Sequence, residues 1–425
     1  MNTYLIIVLV LLVGSTGIDV LLDCLSLSRL SSKSQLILPT EFENVYDTEK
    51  YKNALLYQAT NYRFSLVAAA IETPVVIAFI VLGGFNTVDV FARNFGLGSI
   101  LSGLIFVGTL SVLRMVLTLP FSIYKTFVIE EKFGFNKTTA KTFIVDLIKG
   151  LGIGAILGGL IFAGVIWFFQ ATGPMAWLYA WAAFTAVQLV LVYLAPVIFL
   201  PLFNSFKPLS TGPLKEAIDQ YNERNRFQMS GIFTMDSSKR STKSNAFFTG
   251  FGKFKRLVLF DTLLEKQTTE ELMAIFAHEV GHFKLGHIIR FTILSIASSL
   301  VLFFVLSLFI ANEGLFQAFK MENISIYASL VFVGFLYSPI SRMLSLLAHS
   351  ISRKAEFEAD RYSVETYGKP ESLITALKKL SIDNLSDLKP HPLKVFFDYT
   401  HPPVLERIKI LQGFADSPTS VRRIR

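Results

Sequence analysis

A helix-favouring apolar run, Glu271-Leu272-Met273-Ala274-Ile275-Phe276-Ala277, leads directly into His278-Glu279-Val280-Gly281-His282. Residues four apart share a helix face, so both imidazoles can reach one metal ion. Glu279, beside the first ligand, can hold the water that the metal polarises. The bland alternative is a buried helix whose two His satisfy each other. A catalytic zinc site needs a third protein ligand and a place for water. Downstream runs Ser352-Arg353-Lys354-Ala355-Glu356-Phe357-Glu358-Ala359-Asp360. As a helix it puts Glu356 and Asp360 on one face. Glu356 is expected as the third ligand, with Asp360 accepting the free N–H of a ligating imidazole, His278. Glu358 should point away into solvent. His287, extrapolated along the helix of His278, falls half a turn off the ligand face. His349, seven residues before Glu356 on the same face, is the runner-up ligand. His401 is distant in sequence but could fold over the site, and His391 reads as a loop residue.

These residues must be positioned by a membrane protein. Hydrophobic residues make up 52% of the 425, too many for one soluble, polar-surfaced body. Seven stretches can cross about 30 Å of hydrocarbon, roughly 3–24, 64–85, 99–120, 150–169, 176–200, 288–311 and 325–347. The first is expected to be a retained span carrying Asp19 and Asp23, since no Lys or Arg precedes its apolar core as in a signal peptide. Glu72, Arg114 and Gln188 lie within apolar stretches and should face an interior cavity or one another. Cys24 is the single cysteine, which excludes an internal disulfide and a Cys-ligated metal. The net charge of +8 fits cytoplasmic loops beside anionic lipid. No nucleic-acid module accompanies it, so nucleic acid is not expected as a partner. Lys and Arg concentrate in alternate connections and in the tail. This puts the N-terminus outside and the C-terminus in the cytoplasm, which requires an odd number of spans. The expected organisation is a five-span membrane domain, 1–200, followed by a catalytic domain, 201–425, interrupted by the last two spans.

Five blocks in order resemble one family. They are Glu130-Glu131-Lys132-Phe133-Gly134-Phe135-Asn136-Lys137, then Ser244 through Phe251, Ala277 through His287, Ser352 through Asp360, and His401-Pro402-Pro403 with Glu406-Arg407. The chain resembles the type I CAAX prenyl endopeptidases, sterile-24-type integral-membrane zinc metalloproteases related to HtpX, over nearly its whole length. The resemblance implies a mainly α-helical fold. Seven helices would enclose a large intramembrane chamber, capped by a zincin-type domain with a small edge-strand sheet. It implies one zinc per chain and a peptide or protein substrate, lipidated or not. Substrate would lie along the strand containing Asn245, Ala246, Phe247, Phe248 and Gly250. It further implies that His401 stabilises the transition state and that Arg407 supports the site. The end Val421-Arg422-Arg423-Ile424-Arg425 lacks a dilysine-type endoplasmic-reticulum retrieval signal, so a bacterial inner membrane is favoured over the endoplasmic reticulum.

The expected reaction is peptide hydrolysis by zinc-activated water, with Glu279 as general base. A site-2-type intramembrane protease is the rival enzyme, but its motif lies within a span and its third ligand is an Asp near Asn-Pro. A membrane quality-control protease without prenyl substrates is an alternative. A vestigial scaffold or transporter would not need His278, Glu279, His282, Glu356 and Asp360 all intact.

Overall fold

The computed structural model describes residues 2–250 and 255–416. Phe251 of the second block and the end 421–425 lie outside them. The main helices are α1 (Thr3–Leu30), α2 (Thr48–Val81), α3 (Ser99–Tyr124, running on through a π-helical turn, Lys125–Glu130), α4 (Ala140–Ala171), α5 (Ala176–Leu194), α6 (Thr269–Lys284), α7 (His287–Phe309), α8 (Ile326–Tyr367), α9 (Pro370–Asp383), α10 (Pro392–Asp398) and α11 (Val404–Asp416). Among the described residues seven helices are long and apolar enough to cross a membrane: α1 to α5, α7 and α8. They coincide with the seven expected stretches, and several run well beyond them. α2 starts at Thr48, with Asp47 accepting from the Glu49 amide as its N-cap, and α8 continues to Tyr367. Hydropathy marks only the lipid-facing part of a helix, and capping decides where it begins.

Alternate connections gather at opposite ends of the bundle. At one end Arg29 donates to the Lys389 carbonyl, Gln58 to the Leu385 carbonyl and the Lys137 amide to the Arg240 carbonyl. At the other end Asn2 donates to the Gly314 carbonyl and Asn86 to Glu322. Asp19 pairs with Arg342 of α8, and Asp23 with Lys394 of α10. Gln188 bonds Ser295 of α7; Glu72 is half-buried and Arg114 exposed.

The sheet is small. β1 (Phe206–Pro208), β2 (Gly231–Met235), β3 (Ala246–Thr249) and β4 (Arg256–Phe260) are ordered β1-β2-β4-β3. β2 and β4 are parallel, whereas β1 and β3 pair antiparallel and form the edges. Leu257 and Leu259 of β4 pack with Leu272, Phe276 and Val280 of α6 in one buried cluster. The sheet is therefore the platform for the His278–His282 helix, with β3 as its free edge beside that helix.

Candidate metal centre and active site

α6 is fixed at its start by a reciprocal capping box. Thr268 accepts from the Glu271 amide and Glu271 accepts from the Thr268 amide. Glu271 is also paired with Lys379 of α9. The helix is buried from Glu271 to His278, which aims both imidazoles inward. α8 crosses it at very close range: a Cβ on Gly281 would lie 3.1 Å from the Ala359 Cα. Only that approach brings Glu356 to the two His.

The three groups converge. His278 Nε2 lies 3.1 Å from His282 Nε2 and 3.5 Å from Glu356 Oε2, and His282 Nε2 lies 3.3 Å from Glu356 Oε1. A tetrahedron with bonds of about 2.0–2.1 Å has edges of about 3.3 Å, so the ligand spacing matches zinc. Charge agrees. Glu356, Asp360 and Glu279 bring three carboxylates and Arg407 one cation, a balance that a divalent ion closes. Burial opposes charge on His278, but the Asp360 and Glu356 carboxylates outweigh it and lift its pKa to about 9.

Each supporting residue has a partner. His278 Nδ1 is 2.8 Å from Asp360, whose carboxylate accepts from Arg407 Nε at 2.8 Å. Arg407 Nη1 also reaches Glu356 at 3.2 Å. The guanidinium, on α11, thus holds both buried carboxylates apart at fixed geometry. Glu279 is half-buried at the wall of a cavity of about 440 Å³ that Asn245, Ala246, Phe247 and Phe248 also line. Burial raises its pKa, while the two imidazoles and a backbone hydrogen bond to Phe248 work the other way. A carboxylate poised above its ordinary range accepts a proton more readily than a solvated one. His401 Nε2 is 3.3 Å from Glu356 Oε1, with 64% of its side chain exposed. It projects over the ligands from the loop after α10, which α8 holds through both helix and loop: Arg353 donates to the carbonyls of Val395 and Tyr399, and His349 Nδ1 lies 2.7 Å from the Phe397 carbonyl. Gly250 follows β3 directly, with φ +89°.

Three expectations need correction. His349 shares the Glu356 face but sits two turns away, about 10.5 Å along the axis, so it anchors the His401 loop and not the metal. Glu358 is not free in solvent; it binds His287 Nε2 at 3.0 Å and Arg290 at 2.9 Å. His287 is in turn 3.0 Å from His282, Nδ1 to Nδ1. α6 stops at Lys284 and Gly286 takes φ +72°, so the helical phase restarts at His287 and extrapolation from His278 fails. His391 caps α10 through the Leu393 amide. A further anchor was not foreseen. Lys243 binds Tyr57 and Glu130 at 2.9 Å each, tying the approach to β3 to the membrane helices.

Comparison with known proteins agrees with this geometry. Residues 28–205 match the model of the CAAX prenyl protease N-terminal region with five membrane helices, and residues 208–415 match peptidase family M48. The CAAX prenyl protease 1 homolog of Oryza sativa subsp. japonica is 34% identical over 89% of this chain and 91% of its own. The Homo sapiens homolog is 31% identical over 89% and 90%. The crystal structure of S. mikatae Ste24p superposes with a TM-score of 0.91 at 29% identity, over 97% of this chain and 99% of that one. These relatives come from eukaryotes. The chain belongs to the CAAX prenyl protease 1 (Ste24-type) family of M48 peptidases and is a multi-pass membrane metalloprotease.

Proposed function

We propose that the chain is a zinc endopeptidase cleaving membrane-associated peptides, with prenylated C-a-a-X peptides as the substrate class to test first. The observation that carries the reading is the converging set His278, His282 and Glu356, with separations of 3.1–3.5 Å and Glu279 beside it. Zinc bound there supplies a Lewis acid that lowers the pKa of water towards about 7 and polarises the scissile carbonyl. Glu279 takes the proton of the attacking water and passes it to the leaving amine. His401 donates a hydrogen bond to the oxyanion, and Arg407 keeps Glu356 and Asp360 in register. The substrate pairs as an added strand along β3, from Asn245 to Gly250, where main-chain bonds set its direction and the apolar walls set its side chains. Residues 1–200 form the membrane domain and 201–425 the catalytic domain, which includes the last two spans and turns its active-site part to the cytoplasmic side. The relatives' names, CAAX prenyl protease 1 homologs, support the C-a-a-X assignment.

Glu279→Gln keeps the size of the side chain and removes the base. It should retain one zinc per chain and lose cleavage by at least the ~10²–10⁴-fold that proton transfer contributes. His401→Ala should retain zinc and lose about 10²–10³-fold. The assay is cleavage of a farnesylated peptide and its unprenylated counterpart in detergent, with phenanthroline as the control. Unchanged turnover in Glu279→Gln would refute the mechanism. Equal cleavage of both peptides would refute the prenyl preference alone.

A further inference from the structure

The two histidines of the metal centre are not supported alike. His278 is backed directly by a carboxylate, Asp360, at 2.8 Å. His282 has another imidazole behind it: His287 Nδ1 lies 3.0 Å from His282 Nδ1. Behind that ring is the Glu358 carboxylate, 3.0 Å from His287 Nε2. Arg290 bonds the same carboxylate at 2.9 Å, and Lys354 lies 4.0 Å from its other oxygen. The three links come from three helices: α6, the first residue of α7, and α8.

The hydrogens in this chain can run in one direction only. An ionised carboxylate accepts and cannot donate, so Glu358 requires a hydrogen on His287 Nε2. A neutral imidazole then carries a lone pair on its other nitrogen, so His287 Nδ1 accepts. It accepts from His282 Nδ1–H. With Nδ1 protonated, neutral His282 presents its lone pair at Nε2, the atom that faces His278 and Glu356. The reverse order turns the lone pair of His287 Nε2 towards the Glu358 carboxylate and leaves two acceptors opposed at that junction. His287 itself has no nitrogen left for a metal. Its imidazole is 1% exposed, so water does not stand in for either bond.

We infer that Glu358 and His287 form a two-step relay that selects the metal-binding tautomer of His282 and makes His287 a positioning residue of the metal centre. This rests on the zinc reading above and extends it. Outer partners of metal-bound imidazoles typically contribute 10- to 100-fold in metal affinity. Here the contribution passes through an added ring, fixed by the backbone break at Gly286.

The test measures zinc dissociation constants by competition with a fluorescent chelator, on full-length protein stripped of metal in detergent. His287→Phe keeps a ring but removes the acceptor. His287→Asn places an amide oxygen close to the Nδ1 position. The relay predicts about 10- to 100-fold weaker zinc for His287→Phe, recovery to within a few-fold of the parent for His287→Asn, and no change in the melting temperature of the metal-free protein. Cobalt substitution adds a spectroscopic readout, with His287→Asn keeping the parent's visible bands and His287→Phe shifting them. Zinc affinity in His287→Phe within twofold of the parent overturns the inference, as does equal weakening by Phe and Asn. If His287→Phe does not fold, Glu358→Ala decides: weaker zinc supports the relay, and parental affinity overturns it. The parent and His282→Ala are measured alongside. Failure of the parent to bind zinc, or tight binding by His282→Ala, would refute the metal reading itself and not the relay.

Discussion

Gly281→Ala tests whether contact between two helices sets the ligand geometry. The added Cβ would lie 3.1 Å from the Ala359 Cα and 3.1 Å from the Tyr362 Cβ. Carbon atoms prefer about 3.5–4.0 Å, so α6 and α8 must part by roughly 0.4–0.9 Å. Backbone atoms cannot turn aside as a flexible side-chain tip could. Ala359 is fully buried and lies three residues after Glu356, so the displacement is carried to the third ligand. Metal ligation tolerates about 0.2 Å. Overpacking costs about 1–3 kcal/mol, and Ala in place of Gly returns about 1 kcal/mol through helix propensity. Net destabilisation should therefore be about 0–2 kcal/mol, a modest loss for the fold. Zinc affinity should fall on the order of tenfold or more, each tenfold being about 1.4 kcal/mol. The pair of measurements is thermal unfolding and zinc competition on purified protein in detergent. Unchanged zinc affinity together with a raised melting temperature would refute the argument, because only the propensity gain would then be visible.

Arg407→Ala should destabilise by about 3–5 kcal/mol, since it leaves Glu356 and Asp360 buried without their shared cation. Thermal unfolding of the metal-free protein checks this, and a loss below about 1 kcal/mol would show that the guanidinium is dispensable. Accessibility probes placed in 312–324 should report the side of the membrane opposite to probes in 201–250 and at the C-terminus; labelling from one side would refute the arrangement drawn from loop charge. Cys24 is the single native cysteine, so its replacement leaves a clean background for such labelling.

Much of the fold could be read from composition. Seven apolar stretches are long enough to span, and no tertiary knowledge is needed to find them. Their ends could not be read in that way, because α2 and α8 extend as polar-faced helices into the catalytic side. The convergence of His278 and His282 was legible because an i,i+4 spacing survives in any helix. So was the place of Glu356 beside them, through the following Asp360. His349 misled because sharing a face says nothing about height along a 42-residue helix. His287 was lost at one residue, and the partner of Glu358 with it: Gly286 takes a left-handed conformation, and periodicity read across it carries the wrong phase. The Lys243 anchor joins residues 113 and 186 positions apart, a separation at which local patterns carry no information.

The order of the ligands along the chain bears on biosynthesis. His278 and His282 precede the sixth span, Glu356 follows the seventh on the same unbroken helix, and Arg407 comes later still. A nascent chain therefore carries two imidazoles and the general base well before the third ligand exists. Three-ligand closure requires α8 to be inserted and laid across α6 at Gly281. With the ligand set proposed above, a half-inserted chain would lack the Glu356 carboxylate and so a closed metal site. Hydrolytic competence would then arrive only with topogenesis complete, and the translocation machinery would not meet a working protease at its own lateral gate.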